Sequence, residues 1–282
     1  MQHNSTSKQL LGSTSRWTAG ARASESLRPD RLFNDPWAAA LASEVGITWV
    51  DKSAEDAGSS IIVRTRFFDD FFEHATSHDN VRQVVLIAAG LDTRAFRLNW
   101  PAHTRLFELD QAPILEYKDS VLKEAGAQVS CERQTVPVDL TKPWKETLLK
   151  ANFDPQQPSA WLIEGILFYL PNDTITQLID EVNSLTAVGS WLGFDIINND
   201  FLSSPYSRQR AERLSSYGTP WIGTMDDPAT FLSTRGWQAR VSNAVEQEEK
   251  HQRPVYPIFP DAPIPNKPYQ WLVSAHKTKA RS

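Results

Sequence analysis

Three apolar runs in this chain close on a carboxylate: Arg105–Asp110, Ser159–Gly165 with Glu164, and Ser190–Ile196 with Asp195. A fourth, Gln134–Leu140, carries Asp139 next to its last residue. A fifth, beginning Val84-Val85-Leu86-Ile87, breaks into Ala88-Ala89-Gly90-Leu91-Asp92-Thr93-Arg94. Carboxylates in such positions accept hydrogen bonds from sugar hydroxyls or ring amines, or balance a cation. Asp110 lies about twenty residues past Gly90, the spacing at which a second strand presents an acid to a ribose. In Asp139-Leu140 the acid is suited to an exocyclic purine amine and the leucine to the ring face. Gly90 admits a positive φ and a close ligand, and Asp92 and Thr93 are N-cap candidates for the next helix.

Basic and aromatic side chains fall near these acids in sequence. Arg64 and Arg66 interrupt an otherwise apolar helix over Ser59–Thr76. They are either solvated on its outer face or an anion clamp above the Gly90 corner. Tyr169 is either core or the wall of an acceptor pocket. Arg94, Arg97 and the arginines at 208, 210 and 213 are candidates to hold an anionic acceptor. His74 and His78 are the histidines nearest in sequence to the corner. Cys131 is the only cysteine, which excludes an intrachain disulfide and a Cys-rich zinc site, and no metal site is expected.

The elements that must position these groups can be read from periodicity. Short apolar runs alternate with helical patterns, at Ala112–Ala125 and Asn172–Ala187 among others. That alternation predicts a mostly parallel sheet, with the strand ends along one edge where ligands bind. Pro137 places its strand at the sheet edge. Further strands are expected at Gly236–Val241 and Tyr269–Ala275. Residues 1–14 read as disordered, 15–80 as an N-terminal helical cap, and 198–235 as a lid insertion bearing Tyr206, Tyr217 and Trp221. An ordered Pro-rich loop is expected over Pro254–Pro268.

Composition narrows the function classes. A net charge of -5 argues against a nucleic-acid partner. No apolar run approaches the roughly 18 residues of a membrane span, and the polar N-terminal stretch lacks a secretory h-region. A cytoplasmic setting is expected. Oligomeric state stays open.

Five motifs then stand in one order: Arg64-Thr65-Arg66-Phe67-Phe68-Asp69-Asp70-Phe71, Ala88 to Leu98, Phe107-Glu108-Leu109-Asp110-Gln111, Val138-Asp139-Leu140, and Glu164 to Leu170. Together they resemble the leucine carboxyl methyltransferase family, in its bacterial and polyketide O-methyltransferase branch. The resemblance implies a Rossmann-like class I fold of seven strands, mostly parallel, with helices on both faces and S-adenosyl-L-methionine as cofactor. It implies that Arg66, with Arg64, holds the methionine carboxylate. Ala89, Gly90 and Asp92 would form the cofactor turn. Asp110, next to Gln111, would bind the ribose, Asp139 and Leu140 the adenine, and Glu164 would lie near the methionine amino group. The chain has Ala-Ala-Gly where many class I enzymes carry Gly-x-Gly. The implied activity is O-methylation of a small carboxylate or hydroxyl acceptor, aromatic or polyketide-like. The alternatives are a protein C-terminal carboxylate, or a non-catalytic scaffold that binds the cofactor. A nicotinamide dehydrogenase is disfavoured by the glycine pattern.

Overall fold

The computed structural model describes residues 3–43, 58–204, 207, 212, 215, 219–253 and 269–278. Its helices and strands are, in chain order, α1 (His3–Ser26), α2 (38–43), α3 (Gly58–Glu73), β1 (Gln83–Ile87), α4 (Arg94–Arg97), β2 (Arg105–Asp110) and α5 (Ala112–Glu124). Then come β3 (Glu132–Pro137), α6 (Lys145–Lys150), β4 (Ser159–Ile163), a 3-10 turn at Leu167–Tyr169, α7 (Asn172–Ser184) and β5 (Trp191–Ile197). The chain closes with α8 (Asn199–Ser203), α9 (Pro228–Ser233), β6 (Trp237–Asn243), α10 (Ala244–Lys250) and β7 (Gln270–Lys277).

The seven strands form one sheet in the order β3-β2-β1-β4-β5-β7-β6. The first five pair in parallel, and β7 runs antiparallel to both β5 and β6. All five residues of β1 are buried, as expected of a parallel strand covered on both faces. β3 lies at the edge, where the missing N–H of Pro137 costs no ladder bond. Helix α7 presents Ile175, Leu178, Ile179 and Val182 at helical spacing to one core, with Trp161 and Phe194. Helix α3 presents Phe68, Phe71 and Phe72 to a second core with Val84, Leu86 and Leu162. The sheet is thus sandwiched, and the carboxyl ends of its parallel strands share one edge.

Two sequence expectations are corrected here. Residues 3–14, within the stretch expected to be disordered, belong to α1. The packed half of that helix, with Ala19, Ala21, Arg22 and Glu25 buried, supplies the nucleus, and extending a formed helix is cheap. The helix expected over Ser59–Thr76 gives way after Glu73 to a π-helical turn, His74–His78. Tyr206, Tyr217, the arginines at 208, 210 and 213, and the loop over 254–268 lie outside the described residues.

Candidate functional site

A cavity of about 640 Å³ runs along the carboxyl edge of the sheet. It passes from Asp139 after β3, past Asp110 at the end of β2 and the Ala88–Gly90 turn after β1, to Glu164 after β4 and Ile197 at the end of β5. The row of acids read from the sequence therefore faces one space, except Asp195, which stands behind it.

The turn after β1 is tight. Ala88 and Gly90 both take positive φ, 53° and 48°. The Ala-Ala-Gly sequence thus reproduces a Gly-x-Gly conformation with an alanine where glycine is favoured, at a cost of roughly 1–2 kcal/mol. Asp110 secures the turn: its Oδ2 accepts from Gly90 N–H at 2.7 Å and its Oδ1 from Gln111 N–H at 2.6 Å. Burial raises the Asp110 carboxyl, against the opposing pull of those two N–H donors. From α5, Lys118 donates to the carbonyl of Asp92 at 3.1 Å and pairs with buried Glu108 at 2.7 Å. Thr93 precedes α4 without capping it; its hydroxyl donates to Asp35 at 2.7 Å, while Asp92 accepts from the Arg94 N–H at 2.7 Å.

At the β4 end the arginines and acids are interlocked. Arg64 donates from Nε to Glu164 (2.8 Å) and from Nη1 to Asp195 (2.9 Å). Asp195 also accepts from Gly165 N–H at 2.6 Å and Gln270 at 3.0 Å. Arg94 is 2 % exposed and bonds Asp69 (2.8 Å), Glu164 (2.9 Å) and Asp92. Arg97 grips Asp69 with two bonds of 2.7 Å. Burial alone would lower the Arg94 guanidinium, but Asp92, Glu164 and Asp69 drive it well above its ordinary value. Burial likewise pulls the Asp92 carboxyl up, and the charges of Arg94 and Arg97 outweigh it, leaving that group below the usual range.

These contacts bear on the sequence reading in three places. Arg66 is not on the cavity lining; it donates to the Leu32 carbonyl at 2.9 Å and pairs with Asp70 at 2.6 Å. Arg64, the other candidate on α3, does line the cavity, and its Nη2 makes no hydrogen bond to the described residues. Arg94 and Arg97, both candidates to hold an anionic acceptor, border the cavity with their guanidiniums bonded to carboxylates. His74 and His78 are exposed beside Trp191, whose ring lies 5.0 Å from that of His74, and neither lines the cavity.

Other expected residues do reach the cavity: Ala89, Gln111, Leu140 and Tyr169 are all on its lining. Asp139 is half-buried and accepts from the Thr141 hydroxyl at 2.6 Å, which lowers its carboxyl together with the Thr141 N–H. Sequence reasoning missed the contribution of α1, which adds Ser15, Trp17, Thr18 and Arg22. Arg22 is tied to Asp35 at 2.8 Å and to the Leu91 carbonyl at 2.7 Å, and its Nη1 makes no hydrogen bond among the described residues. A charged residue within the small-residue run Ala19-Gly20-Ala21-Arg22-Ala23 was the available signal.

On the lining, five carboxylates meet four guanidiniums, and Asp35, Asp69 and Asp195 stand behind. The excess is negative, which suits a cationic guest. The far end, beyond Glu164, is apolar: Phe168, Tyr169, Phe201 and Trp221 gather there with Ile197.

Comparison with known proteins gives the family and the fold. The leucine carboxyl methyltransferase family matches residues 15–183. A Streptomyces coelicolor protein named S-adenosyl-L-methionine-dependent methyltransferase is 40% identical over 255 residues, 84% of this chain and 86% of that one. A Mycolicibacterium gilvum protein of the same designation is 35% identical over 256 residues, 83% and 85% of the two chains. Among solved structures, a DUF574 family protein from Streptomyces avermitilis superposes with a TM-score of 0.61 at 14% identity, covering 92% of this chain and 96% of that one. A Thermobifida fusca structure described as a methyltransferase gives 0.59 at 17% identity, covering 84% and 90%. At these identities the two structures speak to the fold alone.

Proposed function

The chain belongs to the leucine carboxyl methyltransferase family and is an S-adenosyl-L-methionine-dependent methyltransferase; on that premise we propose that it methylates an oxygen of a small-molecule acceptor. The observation that carries the small-molecule reading is a bounded cavity whose cofactor corner continues directly into an aromatic wall. The oxygen reading rests on the family, whose description names carboxyl methylation.

The residues present fit the cofactor. Asp110 lines the cavity at the end of β2 and would take the ribose hydroxyls. Asp139 and Leu140 would flank the adenine. Arg64, with its unengaged Nη2, would meet the methionine carboxylate, and Glu164 would lie near the amino group. When bound, S-adenosyl-L-methionine supplies a methyl group already activated by a sulfonium leaving group. The protein's remaining task is alignment and exclusion of water. The Arg64, Arg94, Asp69 and Glu164 lattice supplies rigidity, since each carboxylate is held by two guanidiniums. The surplus of carboxylates favours the cation over its neutral product. Among the described lining residues there is no imidazole, so an acceptor oxygen that is ionised on its own needs least from the protein.

The test is incubation with methyl-labelled cofactor and cell extract. The expected result is label in the small-molecule fraction, recovered as methanol after mild base for an ester, or as a base-stable methyl ether. Label mainly in protein, or a methyl group on nitrogen or carbon, would overturn the proposal.

A further inference from the structure

The chain between β5 and α9 returns to the sheet over 219–225, and that return is stitched down closely. Ile222 N–H and Gly223 N–H both donate to the Phe168 carbonyl, at 2.8 and 3.1 Å. Thr224 N–H donates to Asn172 Oδ1 at 2.9 Å, and Met225 N–H to the Ile197 carbonyl at 2.9 Å. Gly223 makes this approach possible. A Cβ there would meet the Leu170 carbonyl, the Leu167 carbonyl at 2.5 Å and Ile175 Cδ1 at 2.7 Å. Two of those three neighbours are backbone and cannot swing aside. The segment so placed carries Trp221, which is 7% exposed. Its ring sits 5.8 Å from Phe168 and 5.7 Å from Phe201, and Phe168 sits 4.7 Å from Tyr169.

We propose that this aromatic box is the acceptor subsite, that it takes a flat, aromatic acceptor, and that Trp221, seated by Gly223, sets the size it admits. The placement comes from the strand order. The acids suited to ribose and adenine are at the ends of β2 and β3, so the opposite end of the cavity, at β4 and β5, is left for the acceptor. Four rings in edge and tilted contact form one aromatic wall of the cavity, and aromatic guests gain from both area and ring geometry against it. Trp221 and Gly223 sit at the β4–β5 end of the cavity, so their effect is expected on the acceptor. This inference rests on the small-molecule reading of the site.

The experiment uses the full chain loaded with S-adenosylhomocysteine. Binding of one-, two- and three-ring hydroxy- and carboxy-aromatics, and of aliphatic acids of matched length, is read by saturation-transfer NMR. Wild type is expected to bind aromatics in preference to the aliphatic acids. Trp221→Ala should move the size optimum up by one ring and weaken the smaller ligands about tenfold, the equivalent of about 1.4 kcal/mol. Gly223→Ala, which displaces the segment without removing a ring, should shift the optimum the same way. Calorimetry of S-adenosylhomocysteine, unchanged within about twofold in both variants, shows that the fold and cofactor corner survive. An unchanged ligand profile in a folded Trp221→Ala protein, or equal binding of aliphatic acids by wild type, would overturn the inference. Aromatic binding that shifts as described, with methyl transfer to an atom other than oxygen, would sink the oxygen reading and leave this one standing.

Discussion

Replacing Arg94 by methionine separates a scaffold role from an acceptor role. The guanidinium is buried and bonds three carboxylates, but their dependence on it differs. Asp69 keeps the paired bonds of Arg97, and Glu164 keeps Arg64. Asp92 loses its side-chain ion pair and keeps the backbone N–H of residue 94, with the charges of Arg97 and Lys118 nearby. Stranding a buried charge costs about 3–5 kcal/mol. With two of the three acids still paired, we expect the low end, about 3 kcal/mol. Native stability is about 5–15 kcal/mol, so denaturant and thermal unfolding should both register the loss. At about 2–4 °C per kcal/mol the midpoint should fall by roughly 6–12 °C. The pH dependence carries a sign. In wild type the Asp92 carboxyl lies below its ordinary value near about 3.9, so its stabilisation is present above that pH and fades as pH falls through the lower folded value. Without Arg94 the folded value rises, because burial is then opposed only by Arg97, Lys118 and the backbone N–H. The variant then gains relative to wild type as pH falls, and the gap should be widest near neutrality and narrow towards pH ~4. Adding Asp92→Asn should recover part of the loss. An Arg94→Met protein that melts with wild type while its acceptor KM rises would refute the scaffold argument and restore Arg94 as a clamp.

Asp110→Ala removes a charge-assisted acceptor from the ribose position and should cost about 1.5–3 kcal/mol in S-adenosylhomocysteine affinity by calorimetry; unchanged affinity would place the ribose elsewhere. Arg64→Met should weaken cofactor binding, whereas Arg66→Ala, which breaks a partly exposed pair, should leave it unchanged and alter stability by about 0–1 kcal/mol. Equal losses in both variants would contradict the assignment of the clamp to Arg64. Ala88→Gly should relieve the left-handed backbone at that position and raise stability by about 0.5–1 kcal/mol in urea unfolding, after allowing for the entropy of glycine. A destabilised Ala88→Gly protein would show that the turn is not strained there.

How far the sequence reaches depends on whether a feature is local. The inner strands were legible because a buried parallel strand is a short apolar run with an abrupt finish, and β2 was placed to the residue; the edge strand β3, expected over Gln134–Leu140, closes instead at Pro137 and leaves Asp139 and Leu140 in the loop beyond it. Asp110 and the Gly90 turn emerged from spacing along one β-turn-β unit. Helix faces were less legible. The motif around Arg64 and Arg66 names two candidates two residues apart, and on a helix that step turns a side chain through more than half a revolution. One of the pair had to face away from the cavity, and only the packing of α3 against Leu32 and β5 decides which. Arg94 and Arg97 show a different limit. Their charge reads as an offer to an anion until the partners are known, and those partners, Asp69 and Glu164, lie 25 to 70 residues away. Asp35 is the plainest case. Within Asn34-Asp35-Pro36 it looks like turn punctuation, yet it is 2% exposed and binds both Arg22 and Thr93. A buried acid with that many donors ties α1 to the segment after β1, and it explains why an N-terminal helix so polar in composition lies along the cavity at all. Local chemistry marks where a ligand would go; the counter-charges that arrive from distant segments determine which of the marked side chains remain free to hold it.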